Sequence, residues 1–274
     1  MKFLDVQGTS LPALGLGTWR LVGSEGVRAI RMALDLGYRH IDTAQMYENE
    51  AQVGQAIKES GIARGDLFIT TKIWMDNYAR DRVKASTDAS LSRLGMDYVD
   101  LLLMHWPSEA VKLAETLDAM QELLHQGKTK AIGVSNFPVN WMKRAVEECK
   151  APIACNQVEY HALLSQRAVL EYAQAHNIIV TAYRPLANGS LASNPLLMEI
   201  GNKYDKTGGQ VALRWLMEQK GVAAVPKAAS EKHARENLEI FDFNLTADEQ
   251  AAIAKLSGNT RLVNPAFAPQ WDMV

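Results

Sequence analysis

Four residues suited to proton transfer and charge pairing stand at, or just beyond, the ends of short apolar runs. Asp42 closes His40-Ile41-Asp42, Tyr47 follows five residues later, Lys72 closes Phe68–Lys72 and His105 closes Val99–His105. Together they suit the reduction of a carbonyl. Hydride addition at carbon obliges the carbonyl oxygen to gain a proton as its charge develops. Tyr47 is the candidate general acid, although a free tyrosine has a pKa of about 10. A nearby ammonium stabilises phenolate and brings that value down, and Lys72 supplies the charge. Asp42 would neutralise the buried ammonium and fix its position. His105 would offer a ring N–H that orients the carbonyl oxygen. Taken singly, each of these residue types is more often structural; their coincidence at successive strand ends carries the assignment.

The elements that must position them alternate. Strand-like runs are expected at Leu14–Thr18, His40–Thr43, Phe68–Lys72, Val99–His105, Ala131–Asn136, Ala154–Glu159, Ile179–Tyr183 and Ala223–Pro226. Helical segments are expected near 25–36, 49–59, 80–94, 112–126, 138–148, 166–176 and 208–220, with Gly37, Gly61, Gly127 and Gly221 at or just after helix ends. A hairpin of Phe3–Val6 and Ser10–Leu14 around Gln7-Gly8-Thr9 precedes them, where it would close the bottom of a barrel. Helices at Ser230–Leu238 and Ala247–Leu256 and an irregular tail from Ser257 to Val274 follow. Strict alternation implies a parallel sheet. Eight such units close into an α/β (β/α)8 TIM barrel, which needs about 250 residues and carries its chemistry at the carboxyl ends of its strands. The 274 residues contain no linker or internal repeat, so residues 1–274 read as one domain.

Composition removes several classes. A net charge of −2 offers no basic excess for nucleic acid. Cys149 and Cys155 imply neither a disulfide framework nor a zinc site. His105 alone among the histidines ends a strand in a suitable position, so a metal-dependent hydrolase is a weak reading. No apolar run is long enough to span a bilayer, and the N-terminus lacks a signal-peptide core. The expectation is a cytoplasmic monomer whose partner is a small carbonyl compound.

The run Gly37-Tyr38-Arg39-His40-Ile41-Asp42-Thr43-Ala44, with Tyr47, Glu50 and Gly54 beyond it, resembles the aldo-keto reductase signature, and the resemblance extends over nearly the whole chain. It implies NADPH as cofactor. In the family pattern the residue types at Ser135, Asn136 and Gln157 hold the nicotinamide carboxamide, and the aromatic at Tyr183 stacks on its ring. Gly17, Thr18, Trp19 and Asp42, then Arg184, Pro185 and Leu186, flank the same groove. Lys227, Ala228, His233, Glu236 and Asn237 correspond to the adenosine end. Two positions depart from the pattern: Ala228 stands where serine is common, and His233 where an arginine usually pairs with the 2′-phosphate. A neutral histidine lacks the guanidinium fork, so NADPH is expected to be preferred with appreciable NADH use; Arg235 is a candidate substitute. Arg184 replaces a small polar residue and either reaches the pyrophosphate or turns to solvent. A Rossmann reading fails because Gly15-Leu16-Gly17 lacks the third glycine, and there is no Walker A lysine motif.

Trp19, Trp74, His105, Trp106 and Trp271 are the candidate substrate pocket. The short stretch Ser108–Val111 and the modest tail imply an open site. These features, with Arg261-Leu262-Val263 and Pro265 near the end, resemble the bacterial 2,5-diketo-D-gluconate reductase and methylglyoxal reductase branch. A cofactor-binding regulatory subunit that kept the barrel but lost turnover is the alternative. The presence of all four catalytic residues argues against it.

Overall fold

Runs of β-branched and leucine residues only a few positions long, each followed by a longer amphipathic helix, build the ring that the sequence implies. The computed structural model describes residues 2–6 and 8–272. Strands β1 (Phe3–Val6) and β2 (Thr9–Pro12) form the antiparallel hairpin; its expected turn residue Gln7, and the last two residues of the expected tail, lie outside the described residues. Eight parallel strands follow: β3 (Leu16–Gly17), β4 (His40–Asp42), β5 (Phe68–Ile73), β6 (Val99–Met104), β7 (Thr129–Ser135), β8 (Ile153–Glu159), β9 (Ile179–Tyr183) and β10 (Val222–Ala224), each bonded to its neighbour in chain order. The ring closes between its first and last strands, where Gly15 N donates to Ala224 O, Ala224 N to Ala13 O and Gly17 N to Pro226 O, at 2.9, 2.7 and 3.0 Å. Gly17 is required there: a Cβ would lie 2.6 Å from the Val225 carbonyl oxygen.

Side-chain alternation divides most of the strands between two cores, the register shift between β7 and β8 interrupting it on β8. Phe68, Leu101, Leu103, Ala131, Cys155, Ile179 and Ala223 fill the ring, with Leu11 of the hairpin packed among them at its base. Ile69, Leu102, Ile132, Val158 and Val180 face outward into the larger core beneath the helices. The inward series of β5 therefore runs Phe68, Thr70, Lys72, apolar at the base and charged at the carboxyl end.

The helices are α1 (Gly23–Leu36), α2 (Glu50–Ser60), α3 (Arg80–Leu94), α4 (Leu113–His125), α5 (Val139–Lys143), α6 (Arg167–Ala175), α7 (Pro195–Asn202), α8 (Gly208–Glu218), α9 (Glu231–Leu238) and α10 (Ala247–Ala254). Helix α1 buries Val27, Ile30, Ala33 and Leu34 on one stripe. It stops at Gly37, whose φ of 109° only glycine adopts without strain. Among the described residues no helix is long and apolar enough to cross a membrane.

Four expectations need adjustment. The first and last barrel strands are shorter than Leu14–Thr18 and Ala223–Pro226; Leu14 keeps only an isolated bridge to Ala224, and Pro226 has no N–H to extend a ladder. The second hairpin strand is Thr9–Pro12 rather than Ser10–Leu14. The helix near 138–148 is α5 followed by a wider π turn over Arg144–Glu148. Helix α7 has no counterpart among the helical segments that the spacing implies. Asn194 caps it by accepting from Leu196 N and Leu197 N, and Pro195 occupies its first turn.

Candidate active site

At the carboxyl end of the ring, β4 and β5 set Asp42 and Lys72 side by side. Lys72 Nζ donates to Asp42 Oδ1 at 2.6 Å and to the Thr43 carbonyl oxygen at 2.8 Å, and it lies 3.4 Å from Tyr47 Oη. Lys72 is fully buried. Gln157 Nε2, from β8 across the ring, donates to the other carboxylate oxygen of Asp42 at 2.7 Å. Both oxygens of the carboxylate are thus occupied, as a buried ion pair requires to repay desolvation. Tyr47 sits on the short turn after β4. Its ring meets Trp19 at 4.9 Å and His105 at 5.7 Å between centroids, and His105 meets Trp74 edge-on at 5.3 Å.

Burial raises the Tyr47 phenol above its ordinary value, and the pull of Lys72 in the other direction does not overcome it. This corrects the expectation of a lowered phenol: Asp42 cancels part of the ammonium's field, and the phenol loses hydration. Tyr47 consequently holds its proton through the neutral range. Burial also works to lower Lys72, but Asp42 and Tyr47 more than offset it and leave Lys72 above its ordinary value. Burial, then the Lys72 charge, holds His105 well below the usual histidine value, so its imidazole is neutral. Its Nδ1 is buried without a hydrogen-bond partner.

A second polar group lies at the ends of β7, β8 and β9. Ser135 Oγ donates to Gln157 O at 2.8 Å, and Asn136 Nδ2 donates to His105 O at 3.0 Å and Ser135 Oγ at 3.2 Å. Tyr183 Oη donates to Asn136 Oδ1 at 2.7 Å. Asn136 adopts φ 63°, a left-handed conformation that asparagine tolerates. Thr18 is buried and donates its hydroxyl to Asp42 O. Arg184 is half-buried, with Nη1 3.1 Å from Asn188 Oδ1 in the loop that follows Pro185 and Leu186.

The expected adenosine-end residues gather separately, between β10 and α9. Lys227 and His233 are exposed, Ala228 and Asn237 buried, and Ser230 caps α9 by accepting from His233 N. Glu236 pairs with Lys232 at 3.8 Å, and Arg235 with Glu231 at 2.7 Å, both along α9 itself. Arg235 is thereby engaged on its own helix. Trp19 packs on Tyr47, Trp74 on His105 and Trp271 on Trp106 at the mouth, and the tail covers more of these rings than an open site implies. Phe267 lies 5.8 Å from Trp74 and 5.4 Å from Trp106, and Trp271 lies 6.1 Å from Trp106.

Several contributors have no distinctive sequence signal. Tyr78 is buried; its hydroxyl donates to Trp106 O at 2.6 Å and accepts from Trp106 N at 3.1 Å, clamping the residue after His105. Asn49 accepts from Thr43 Oγ1 and donates to Thr18 O and Leu21 O, bracing the turns beyond β3 and β4. Two signature positions serve packing. Glu50 accepts from Thr71 Oγ1 and from the Arg93 guanidinium. A Cβ on Gly54 would meet the Leu94 carbonyl oxygen at 2.3 Å, so α2 and α3 approach only through glycine.

Comparison with known proteins agrees with this geometry. The model of the Aldo/keto reductase family matches residues 13–257. Methylglyoxal reductase DkgB of Salmonella typhi is 43% identical over 267 residues, covering 96% of this chain and 100% of that protein. A crystal structure provisionally assigned as a 2,5-diketo-D-gluconic acid reductase B superposes with a TM-score of 0.97 at 49% identity, covering 100% of this chain and 98% of that one. An aldo-keto reductase crystallised with NADPH superposes with a TM-score of 0.92 at 37% identity, covering 99% and 94%. The chain belongs to the aldo/keto reductase family and is an NAD(P)H-dependent oxidoreductase.

Proposed function

We propose that the protein reduces small aldehydes and ketones to alcohols with NADPH, Tyr47 giving the proton. The observation that carries this reading is the line Asp42–Lys72–Tyr47, with contacts of 2.6 and 3.4 Å, opening beside His105 at an aromatic-walled mouth.

The cofactor, when bound, supplies the hydride. The donor set fits a nicotinamide: a hydroxyl and two carboxamides at Ser135, Asn136 and Gln157 match an amide substituent, and Tyr183, half-buried at the end of β9, offers a ring face. Gly17, Thr18 and Trp19 would form the near wall. Lys227, Ala228, Glu236 and Asn237 would take the adenosine end. Arg184, only half-buried, would help to cover the pyrophosphate.

The steps that fall to the chain itself follow from charge. Neutral His105 donates an N–H to the carbonyl oxygen and does not compete with Tyr47 for the proton-donor role. Tyr47 transfers its phenol proton to the developing alkoxide. The phenolate that remains is stabilised by Lys72, which Asp42 and Thr43 O hold in place. Trp19, Trp74, Trp106, Trp271 and Phe267 exclude water and favour compact apolar substituents. Methylglyoxal, the substrate in the name of the Salmonella relative, is of this class. His233 lacks the guanidinium fork that would grip a 2′-phosphate, which supports appreciable NADH use beside NADPH.

Loss of NADPH and NADH absorbance with a panel of small carbonyl compounds tests the reading. Saturable turnover is expected, with methylglyoxal among the substrates and an NADPH-to-NADH efficiency ratio below about a thousandfold. Tight cofactor binding without reduction of any panel member would overturn it in favour of a regulatory subunit.

A further inference from the structure

We propose that Glu159 is the positioning residue that fastens residues 260–272, the tail strap that brings Phe267 against Trp74 and Trp106 at the barrel mouth. Substrate affinity would then depend on a carboxylate that never touches substrate. The inference rests on reading the mouth as a carbonyl pocket.

Glu159 ends β8, is fully buried and has no part in the proton relay. Its Oε1 accepts from Leu262 N at 2.7 Å and its Oε2 from Val263 N at 2.8 Å; the imidazole of His161 is 3.1 Å from Oε1. Among the described residues no lysine or arginine lies within salt-bridge distance of it. A buried carboxylate is tolerated only where hydrogen bonds replace its lost hydration. Here two of them come from consecutive amides of a segment more than a hundred residues further on.

That segment contains no helix or strand, so little else holds its backbone. Its other backbone bonds are Thr260 N to Leu163 O and Ala268 N to Pro265 O, both 2.9 Å. At the far end, Asp272 accepts from Val139 N at the start of α5, its two oxygens at 3.2 and 3.0 Å. Between the two fastenings the strap is braced across itself. Trp271 Nε1 donates to Asn264 Oδ1 at 2.9 Å, and the Arg261 guanidinium lies 3.7 Å above the Trp271 ring. Phe267, carried between these points, rests edge-on against Trp106 and against Trp74, the ring that meets His105. Releasing either end removes Phe267 from the pocket wall and leaves Asp42, Lys72 and Tyr47 undisturbed, because none of them bonds to the strap.

The test compares the full-length native protein with Glu159→Gln and Asp272→Ala. Glutamine keeps the shape but turns an N–H toward one tail amide; Asp272→Ala acts at the opposite end, away from β8, and carries the test if Glu159→Gln does not fold. Each change is expected to raise KM for methylglyoxal about tenfold with kcat within about twofold, a loss of binding rather than of chemistry. Limited proteolysis should cut the tail about tenfold faster, since cleavage tracks local opening. NADPH affinity, read by fluorescence quenching, should stay within about twofold. A tail as resistant as in the native protein would overturn the fastening, whatever the site does. A loosened tail with unchanged KM, or kcat falling in step with kcat/KM, would overturn the positioning role. Native protein that reduces no carbonyl would strike the functional reading instead, and the protease comparison would still decide the fastening.

Discussion

At the barrel mouth Lys72 and Asp42 are buried, doubly bonded and locked to Thr43 and Gln157. At the β10–α9 end Lys227 and His233 stand in solvent, and the neighbouring ion pairs run along α9 itself. One region fixes its charges before any ligand arrives; the other leaves its polar side chains free to be recruited. A reacting centre gains from charges that need no reorganisation. A surface that discriminates between cofactors needs only differential contacts. Changes at the mouth should therefore affect chemistry and stability together, whereas changes at the distal end should affect cofactor choice alone.

The largest effect is expected from Lys72→Met. It leaves the Asp42 carboxylate buried without its cation, which costs about 3–5 kcal/mol of stability. It also removes support for phenolate, lowering kcat by about 10²–10⁴-fold. Steady-state kinetics and thermal unfolding would check both, and an active, stable variant would erase the contrast between the regions. Tyr78→Phe should cost less. It strips Trp106 N–H and O of their partner, worth about 1–3 kcal/mol, with a decline in kcat/KM and little change in NADPH affinity. At the distal end, His233→Arg should raise the NADPH-to-NADH efficiency ratio about tenfold through one charge-assisted contact, with kcat and melting temperature unmoved.

The smallest effect concerns pH. Burial holds His40 and His105 below the usual histidine value, so they stay neutral in the folded protein while the unfolded chain takes up protons near pH ~6.5. The unfolded state binds more protons in that window, so stability falls as pH drops below about 6.5. Denaturant midpoints at pH 7.5 and 5.5 would reveal it, and His40→Gln should flatten part of the slope.

The barrel was legible because alternation is a local property: apolar runs of strand length, separated by amphipathic helices and glycine stops, leave few alternatives. The convergence of Asp42, Lys72 and His105 was legible because strand ends meet in any such ring, so the three could be brought together from their positions alone. What stayed hidden depends on long-range contact or on irregular backbone. Helix α7 follows a stretch in which Ala187, Asn188 and Gly189 all have positive φ, and only Asn194-Pro195 hints at its start. Glu159 looks like any polar residue closing a strand until Leu262 and Val263 return to it. The rise of the Tyr47 phenol follows from how much water the surrounding rings exclude, which spacing does not encode.

The most direct test of the account is Tyr47→Phe, followed by methylglyoxal-dependent NADPH oxidation alongside NADPH binding. The account predicts that kcat falls by at least about a thousandfold while the dissociation constant for NADPH stays within about threefold, since only the proton donor is removed. A kcat within about tenfold of native would contradict it and move proton donation to another group at the mouth.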